Sequence, residues 1–145
     1  SRVLRYTLQS NESQSVSLRE EMEFASAYIF LLKMRFENNL QFDIQIAKSF
    51  EDYRLPPMAV QVLIENAVKH NEISDRKPLT IHIVTNNEGY LSVSNDIQPK
   101  RTAASGTGIG LVNLAKRYRL LFKQDIQITE DKEFSVCIPL IDEVQ

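Results

Sequence analysis

Apolar residues recur along this chain at two different periods, and the order in which those periods alternate decides what it can build. Met22, Ala25, Ile29, Leu32 and Phe36 fall three or four residues apart, the spacing that lines one face of a helix. Just ahead of them, Ser17-Leu18-Arg19-Glu20 has the form of a capping box, in which the serine side chain accepts from the Glu20 amide and the glutamate reaches back. This predicts a helix over 18–37, closed by a turn at Asn38-Asn39. Phe42, Ile44 and Ile46 then alternate with polar residues, the period of a half-buried strand. Leu55-Pro56-Pro57 reads as the opening of a second helix, since proline suits a first turn; Val60, Leu63, Ile64, Ala67 and Val68 give it an apolar face as far as His70. Two strands follow over 79–85 and 90–95, joined by a turn at Asn86-Asn87-Glu88-Gly89. After a polar stretch, a third helix is predicted over 108–122, with Leu111, Leu114, Ala115, Tyr118 and Phe122 on one side. Strands over 125–130 and 133–140 close the chain and meet at Asp131-Lys132. The fold expected is α+β: a two-layer sandwich with helices on one face of a mixed, mostly antiparallel sheet.

The chain has 145 residues, enough for one domain of ordinary size. Its net charge of −2 comes without a long basic block, which argues against nucleic acid or an anionic membrane as partner. No apolar run approaches the roughly 18 residues of a membrane span. The longest, over 27–32, is closed off by Lys33 and Arg35. Cys137 has no second cysteine to pair with, and beside Val136 and Ile138 it reads as a small core hydrophobe. One cysteine and two distant histidines make no zinc site. The segment 9–17 (QSNESQSVS) reads as a loop, and 3–8 as the end of a helix that began further upstream. With Ser1 as its first residue, the chain is expected to be a piece of a longer protein.

Three groups of residues carry chemistry. On the second helix, Asn66, Lys69 and His70 are spaced i, i+3, i+4, and Glu65 stands four residues before Lys69. A carboxamide oxygen is a hard ligand suited to Mg²⁺, and an ammonium is a point charge suited to phosphate. Taken alone, the same face is equally a solvated helix surface. Next, Gly106-Thr107-Gly108-Ile109-Gly110-Leu111 packs three of the four glycines into five residues ahead of a helix. Such a stretch lets backbone approach a phosphate and offers it the free N–H groups of a helix start. It lacks the Lys-Ser/Thr of a P-loop, and by itself it is also compatible with a tight helix start. Finally, Asn95 and Asp96 end a strand, a place that suits hydrogen bonding to an adenine edge and equally suits an Asx turn.

Taken together these segments resemble a known family. QVLIENAVKHN (61–71) is similar to the N box of histidine kinases, and GTGIGLVNLAKRYRLLF (106–122) to their second glycine box. LRYTL, then SLREEMEFASAYIFLLKMRF, then LPP, precede the N box in the order found in LytS-type sensor kinases, whose N box reads close to ENAIKHG. The resemblance covers essentially the whole chain. It implies the Bergerat ATPase fold, shared with gyrase, MutL and a heat-shock chaperone, and two cofactors, ATP and Mg²⁺.

By that resemblance Glu65 is the general base or water-orienting carboxylate, and Asn66 the Mg²⁺ ligand. Lys69 and His70 lie along the phosphates. Gly106, Thr107, Gly108, Ile109, Gly110 and Leu111 form the turn over the triphosphate, with Asn113 one turn further on. The family's first glycine box, Asp-x-Gly-x-Gly, is replaced here by Asn95-Asp96-Ile97-Gln98-Pro99. Asn95 aligns with the adenine-binding Asp, and Asp96 is the neighbour able to substitute. The phosphoacceptor histidine, in a segment reading near NPHFLFN, is absent from these residues, so the fragment is not expected to phosphorylate itself. The resemblance implies 1–17 as the remnant of an upstream dimerisation helix and linker, and 18–145 as the catalytic domain. It implies a response regulator as partner and a cytoplasmic location within a membrane-bound, homodimeric receptor. The alternative reading is a degenerate pseudo-kinase domain that serves as an interaction module with weak or no nucleotide binding.

Overall fold

The structure is a computed structural model that describes residues 15–100 and 108–143. Helix α1 (Leu18–Phe36) begins where the capping box puts it. Ser17 Oγ accepts from the Glu20 N–H at 3.1 Å, and Glu20 Oε1 accepts from the Ser17 N–H at 3.2 Å. The helix ends at Glu37, whose positive φ of 53° breaks the helical run and leads into a 3₁₀ turn over Glu37–Asn39.

Strand pairing reaches further toward the N-terminus than the loop reading of 9–17 allowed. Strand β1 (Val16–Ser17) pairs antiparallel with β3 (Arg54–Leu55), and Arg54 also donates to the Ser15 carbonyl at 2.8 Å. Leu55 is therefore a strand residue, and the helix expected to open at Leu55-Pro56-Pro57 starts later, as α2 (Ala59–His70). The physical reason is long-range. Met58 takes a left-handed φ of 69° and contributes no side-chain cap. The cap comes instead from Glu21 of α1, fully buried, whose carboxylate accepts from Met58 N at 3.1 Å and Val60 N at 2.8 Å. A helix start left with unsatisfied N–H groups in the interior would be costly, and this carboxylate removes that cost.

Five strands form the main sheet. They are β2 (Leu40–Gln45), β4 (Leu79–Thr85), β5 (Tyr90–Asp96), β6 (Gln127–Glu130) and β7 (Glu133–Pro139), ordered β2-β4-β5-β7-β6. β2 and β4 are parallel, with α2 in the crossover between them, and every other pairing is antiparallel. The expected mixed, mostly antiparallel sheet with helices packed on it is what the chain builds.

Register decides which side chains meet the helices. Ile83 stands opposite Val93, Val93 opposite Val136, and Leu91 opposite Ile138, and all five are buried. Full burial of side chains this size stabilises by roughly 1.5–3 kcal/mol each. The intervening residues His82, Ser92, Ser94 and Cys137 point to the other face and are only half-buried. Cys137 is thus not the core hydrophobe its neighbours suggested: Val136 and Ile138 point inward, so strand parity turns Cys137 outward. On that same outer face His82 Nδ1 lies 2.9 Å from Asp43 Oδ2 of the adjacent strand, a pairing that holds the Asp43 carboxyl below its usual range.

Helix α3 (Ile109–Phe122) packs through Leu114 and Tyr118. The Tyr118 hydroxyl, fully buried, donates to the Pro139 carbonyl at 2.8 Å; burial, then the charge of Glu21, pushes its pKa up. Arg117 donates to the Pro57 carbonyl at 2.7 Å and ties α3 to the turn that precedes α2.

Candidate functional site

A cavity of about 400 Å³ opens between α2, the start of α3 and the sheet. Asn66, Ala67 and His70 line it from α2, Gly108 and Leu111 from the start of α3, Glu130 and Phe134 from β6 and β7, and Ile97 and Pro99 from the segment after β5. Asn66 and His70 are one turn apart, so α2 presents both to the cavity. Across from them Gly108 takes a φ of 76°, the left-handed conformation that favours glycine, and nothing stands within 4 Å of where a Cβ would be. The first turn of α3 has no acidic residue, and its N-cap, Gly108, has no side chain to cap it. A helix start of that kind suits an anion, and a glycine in front of it lets the anion approach. Gly110 has a different use: a Cβ there would come within 3.3 Å of Val62 Cγ1, so the glycine lets α3 lie close against α2.

A second hollow, about 980 Å³, lies on the other side of α2. Glu65 and Lys69 line it, together with Tyr28 and Arg35 of α1 and with Arg76, Lys77 and Lys100. The face on which the sequence grouped Asn66, Lys69 and His70 is therefore divided: Asn66 and His70 turn to the cavity, Lys69 joins Glu65 in the cleft. Gln61, one turn before Glu65, donates from Nε2 to its carboxylate at 3.0 Å. Burial, then the charge of Glu65, pushes the Tyr28 hydroxyl up to about 12, with Arg35 acting the other way.

The remaining expected residues are spread around the cavity. Asn95 is buried beside it, 2 % exposed and in register with the cavity residue Phe134. Its Nδ2 donates to the Asp96 carbonyl at 2.8 Å. Asp96, on the opposite strand face, is exposed. Ile109, Gly110 and Asn113 are exposed on α3 and do not line the cavity. Gly106 and Thr107 lie outside the described residues. Asn71 and Gln98 were missed by the sequence reading. Asn71 lines both hollows, and its buried side chain holds the main chain of Gln98. The only available signal was that Asn71 stands where ENAIKHG ends in glycine.

Residues 1–40 match a family model described as "Histidine kinase". The sensor protein LytS of Streptococcus mutans is 34% identical over 143 residues, which cover 88% of this chain and 24% of that protein. The chain is homologous to the LytS sensor proteins. The sensor histidine kinase BtsS of Escherichia coli is 28% identical over 120 residues, 81% of this chain and 21% of that protein. The domain thus spans less than a quarter of the length of either relative. Among solved structures, the nucleotide-free catalytic domain of the histidine kinase ThkA superposes with a TM-score of 0.60, covering 90% of this chain and all of that one at 18% identity. At that identity the likeness speaks for the fold, which is the one that ThkA catalytic domain has.

Proposed function

We propose that this domain binds ATP with Mg²⁺ and presents the γ-phosphate to a histidine elsewhere in its receptor, from which a response regulator is phosphorylated. The observation that carries this reading is the cavity itself: the carboxamide of Asn66 shares with a glycine-led helix start a hollow walled by Leu111, Ile97 and Phe134. Apolar walls suit a flat base, and the helix start suits phosphate oxygens. Among the described residues no three His, Cys, Asp or Glu side chains converge as a metal cage. Asn66 would therefore share the ion with phosphate oxygens, the usual arrangement for Mg²⁺. The ion would supply charge neutralisation at the triphosphate.

In this reading Lys69 adds positive charge from the adjoining cleft, and Glu65, held by Gln61, is the carboxylate that orients or accepts the proton of the attacking group. Neither histidine suits the acceptor role. His70 lines the cavity, and His82 is paired with Asp43 on the far face of the sheet. Receptor homodimerisation, a membrane anchor and a cytoplasmic position for this domain belong to the same reading, supported by the homology to sensor kinases. Titration of the domain with Mg·ATP in a calorimeter tests the core of it. Saturable heat at micromolar to millimolar ligand is expected, and none at millimolar ATP would overturn it in favour of a non-binding interaction module.

A further inference from the structure

The segment that aligns with the family's first glycine box has no glycine in this chain. Residues 97–100 are bonded to the end of α2 instead. Asn71, 6 % exposed, uses both ends of its side chain: Nδ2 donates to the Ala67 carbonyl at 2.8 Å, and Oδ1 accepts from the Gln98 N–H at 2.7 Å. The Glu72 N–H donates to the Gln98 carbonyl at 2.6 Å. The Gln98 side chain returns over the loop, donating to the carbonyls of Glu72 at 3.0 Å and Lys77 at 3.2 Å. A β-bridge between Asn71 and Pro99 completes the junction.

Four of the bonds just named are made, on the strap's side, by residue 98. In extended chain, alternate residues point to opposite sides. Holding Gln98 toward the loop after α2 therefore turns Ile97 and Pro99 the other way, and both line the cavity. With Leu111 and Phe134 they make up most of the apolar lining of that cavity. The same segment divides the two hollows, since Asn71 and Pro99 are the residues common to both linings.

We propose that Asn71 and Gln98 are positioning residues that fix the wall of the base-binding pocket, in the segment that aligns with the family's first glycine box. The inference rests on the nucleotide reading above. It assigns the strap to the base rather than to the phosphates, and it makes the strap–helix junction a determinant of affinity for the adenosine half of the ligand.

Two substitutions at position 71 test it. Asn71→Ala removes both bonds. Asn71→Asp keeps an acceptor for the Gln98 N–H but sets a poorly solvated carboxylate oxygen against the Ala67 carbonyl, so it retains the strap bond at a cost in stability. Affinities for adenosine, Mg·ADP, Mg·ATP and Mg·tripolyphosphate are measured by calorimetry, with amide hydrogen exchange at Glu72 and Gln98 as a ligand-free readout. Asn71→Ala is expected to speed exchange at both amides and to weaken the three adenosine ligands alike, by about tenfold, leaving tripolyphosphate unchanged. Asn71→Asp is expected to stay within about threefold of the parent. Faster exchange in Asn71→Ala with unchanged adenosine affinity overturns the wall assignment. So does equal weakening of tripolyphosphate, which would mark a general loss of structure. A parent domain that binds tripolyphosphate but no adenosine ligand overturns the base pocket altogether, and one that binds neither overturns the nucleotide reading with it.

Discussion

Glu21 Oε2 lies 2.8 Å from the main-chain nitrogen of Val60, and the glutamate is fully buried between the two helices it joins. The other oxygen, Oε1, accepts from Met58 N at 3.1 Å. One carboxylate from α1 thus does for α2 what a local cap would do, and it sets the height at which α2, with Asn66 and His70, stands over the sheet.

Replacing Glu21 should consequently cost more than a usual cap. Glu21→Ala leaves two buried N–H groups without an acceptor and opens a cavity, and a loss of about 3 kcal/mol or more is expected. Glu21→Gln keeps one acceptor oxygen and should cost less. Urea denaturation of both variants checks this. Equal midpoints for parent and Glu21→Ala would mean that the start of α2 is satisfied some other way.

Tyr28 and Glu65 make a pair whose titration reports on the cleft. The Tyr28 hydroxyl is raised to about 12 by burial and then by Glu65, against about 10 in an unfolded chain. The neutral phenol is therefore favoured in the folded state, and its contribution to stability is fully present below pH about 10 and lost as pH rises toward 12. In an ultraviolet titration, with Tyr28→Phe used to assign the signal, Glu65→Gln should bring the Tyr28 transition to lower pH while leaving it above 10. An unmoved transition would place the Glu65 carboxylate away from Tyr28.

Asn66 is half-exposed and bears on the cavity rather than on the core. A change there should spare the fold. Asn66→Ala is expected to retain the parent's melting temperature and to lose most of the gain in ATP affinity that Mg²⁺ gives. If ATP titrations with and without Mg²⁺ differ as much in the variant as in the parent, Asn66 does not hold the ion.

What the sequence made legible was local. The Ser17–Glu20 capping box spans four residues, and it fixed the start of α1 to the residue. Strand parity around Leu91 and Val93 was equally visible, and it correctly turns Asn95 inward and Asp96 out. The start of α2 was misread because Pro56-Pro57 is a strong local signal, while the cap that overrides it lies 37 residues away from Met58. Cys137 was misread because two apolar neighbours drew attention from the alternation they themselves establish. In the site, Asn66, His70, Gly108 and Leu111 stood out as motif residues. Asn71 and Gln98 did not, because their role appears only when the end of α2 and the segment after β5 are brought together 27 residues apart.

That same neighbourhood decides what an aspartate at position 95 would do. Asn95 is 2 % exposed, and its Nδ2 donates to the Asp96 carbonyl at 2.8 Å. An aspartate would set a carboxylate oxygen where that N–H now points, facing a carbonyl that cannot donate. In the free domain Asn95→Asp should therefore destabilise, by about 1–3 kcal/mol for a lost bond and a poorly solvated charge. A bound adenine changes the balance, because its amino group offers a donor to a carboxylate, and a charge-assisted bond exceeds a neutral one. The variant should thus melt below the parent when empty and gain more from Mg·ATP than the parent does. Asp96→Ala, on the exposed side of the strand, should alter neither quantity by much. Thermal denaturation of the three proteins with and without nucleotide separates the cases. Equal ATP-induced shifts in parent and Asn95→Asp would remove Asn95 from the base, and a shift abolished in Asp96→Ala alone would transfer that role to Asp96.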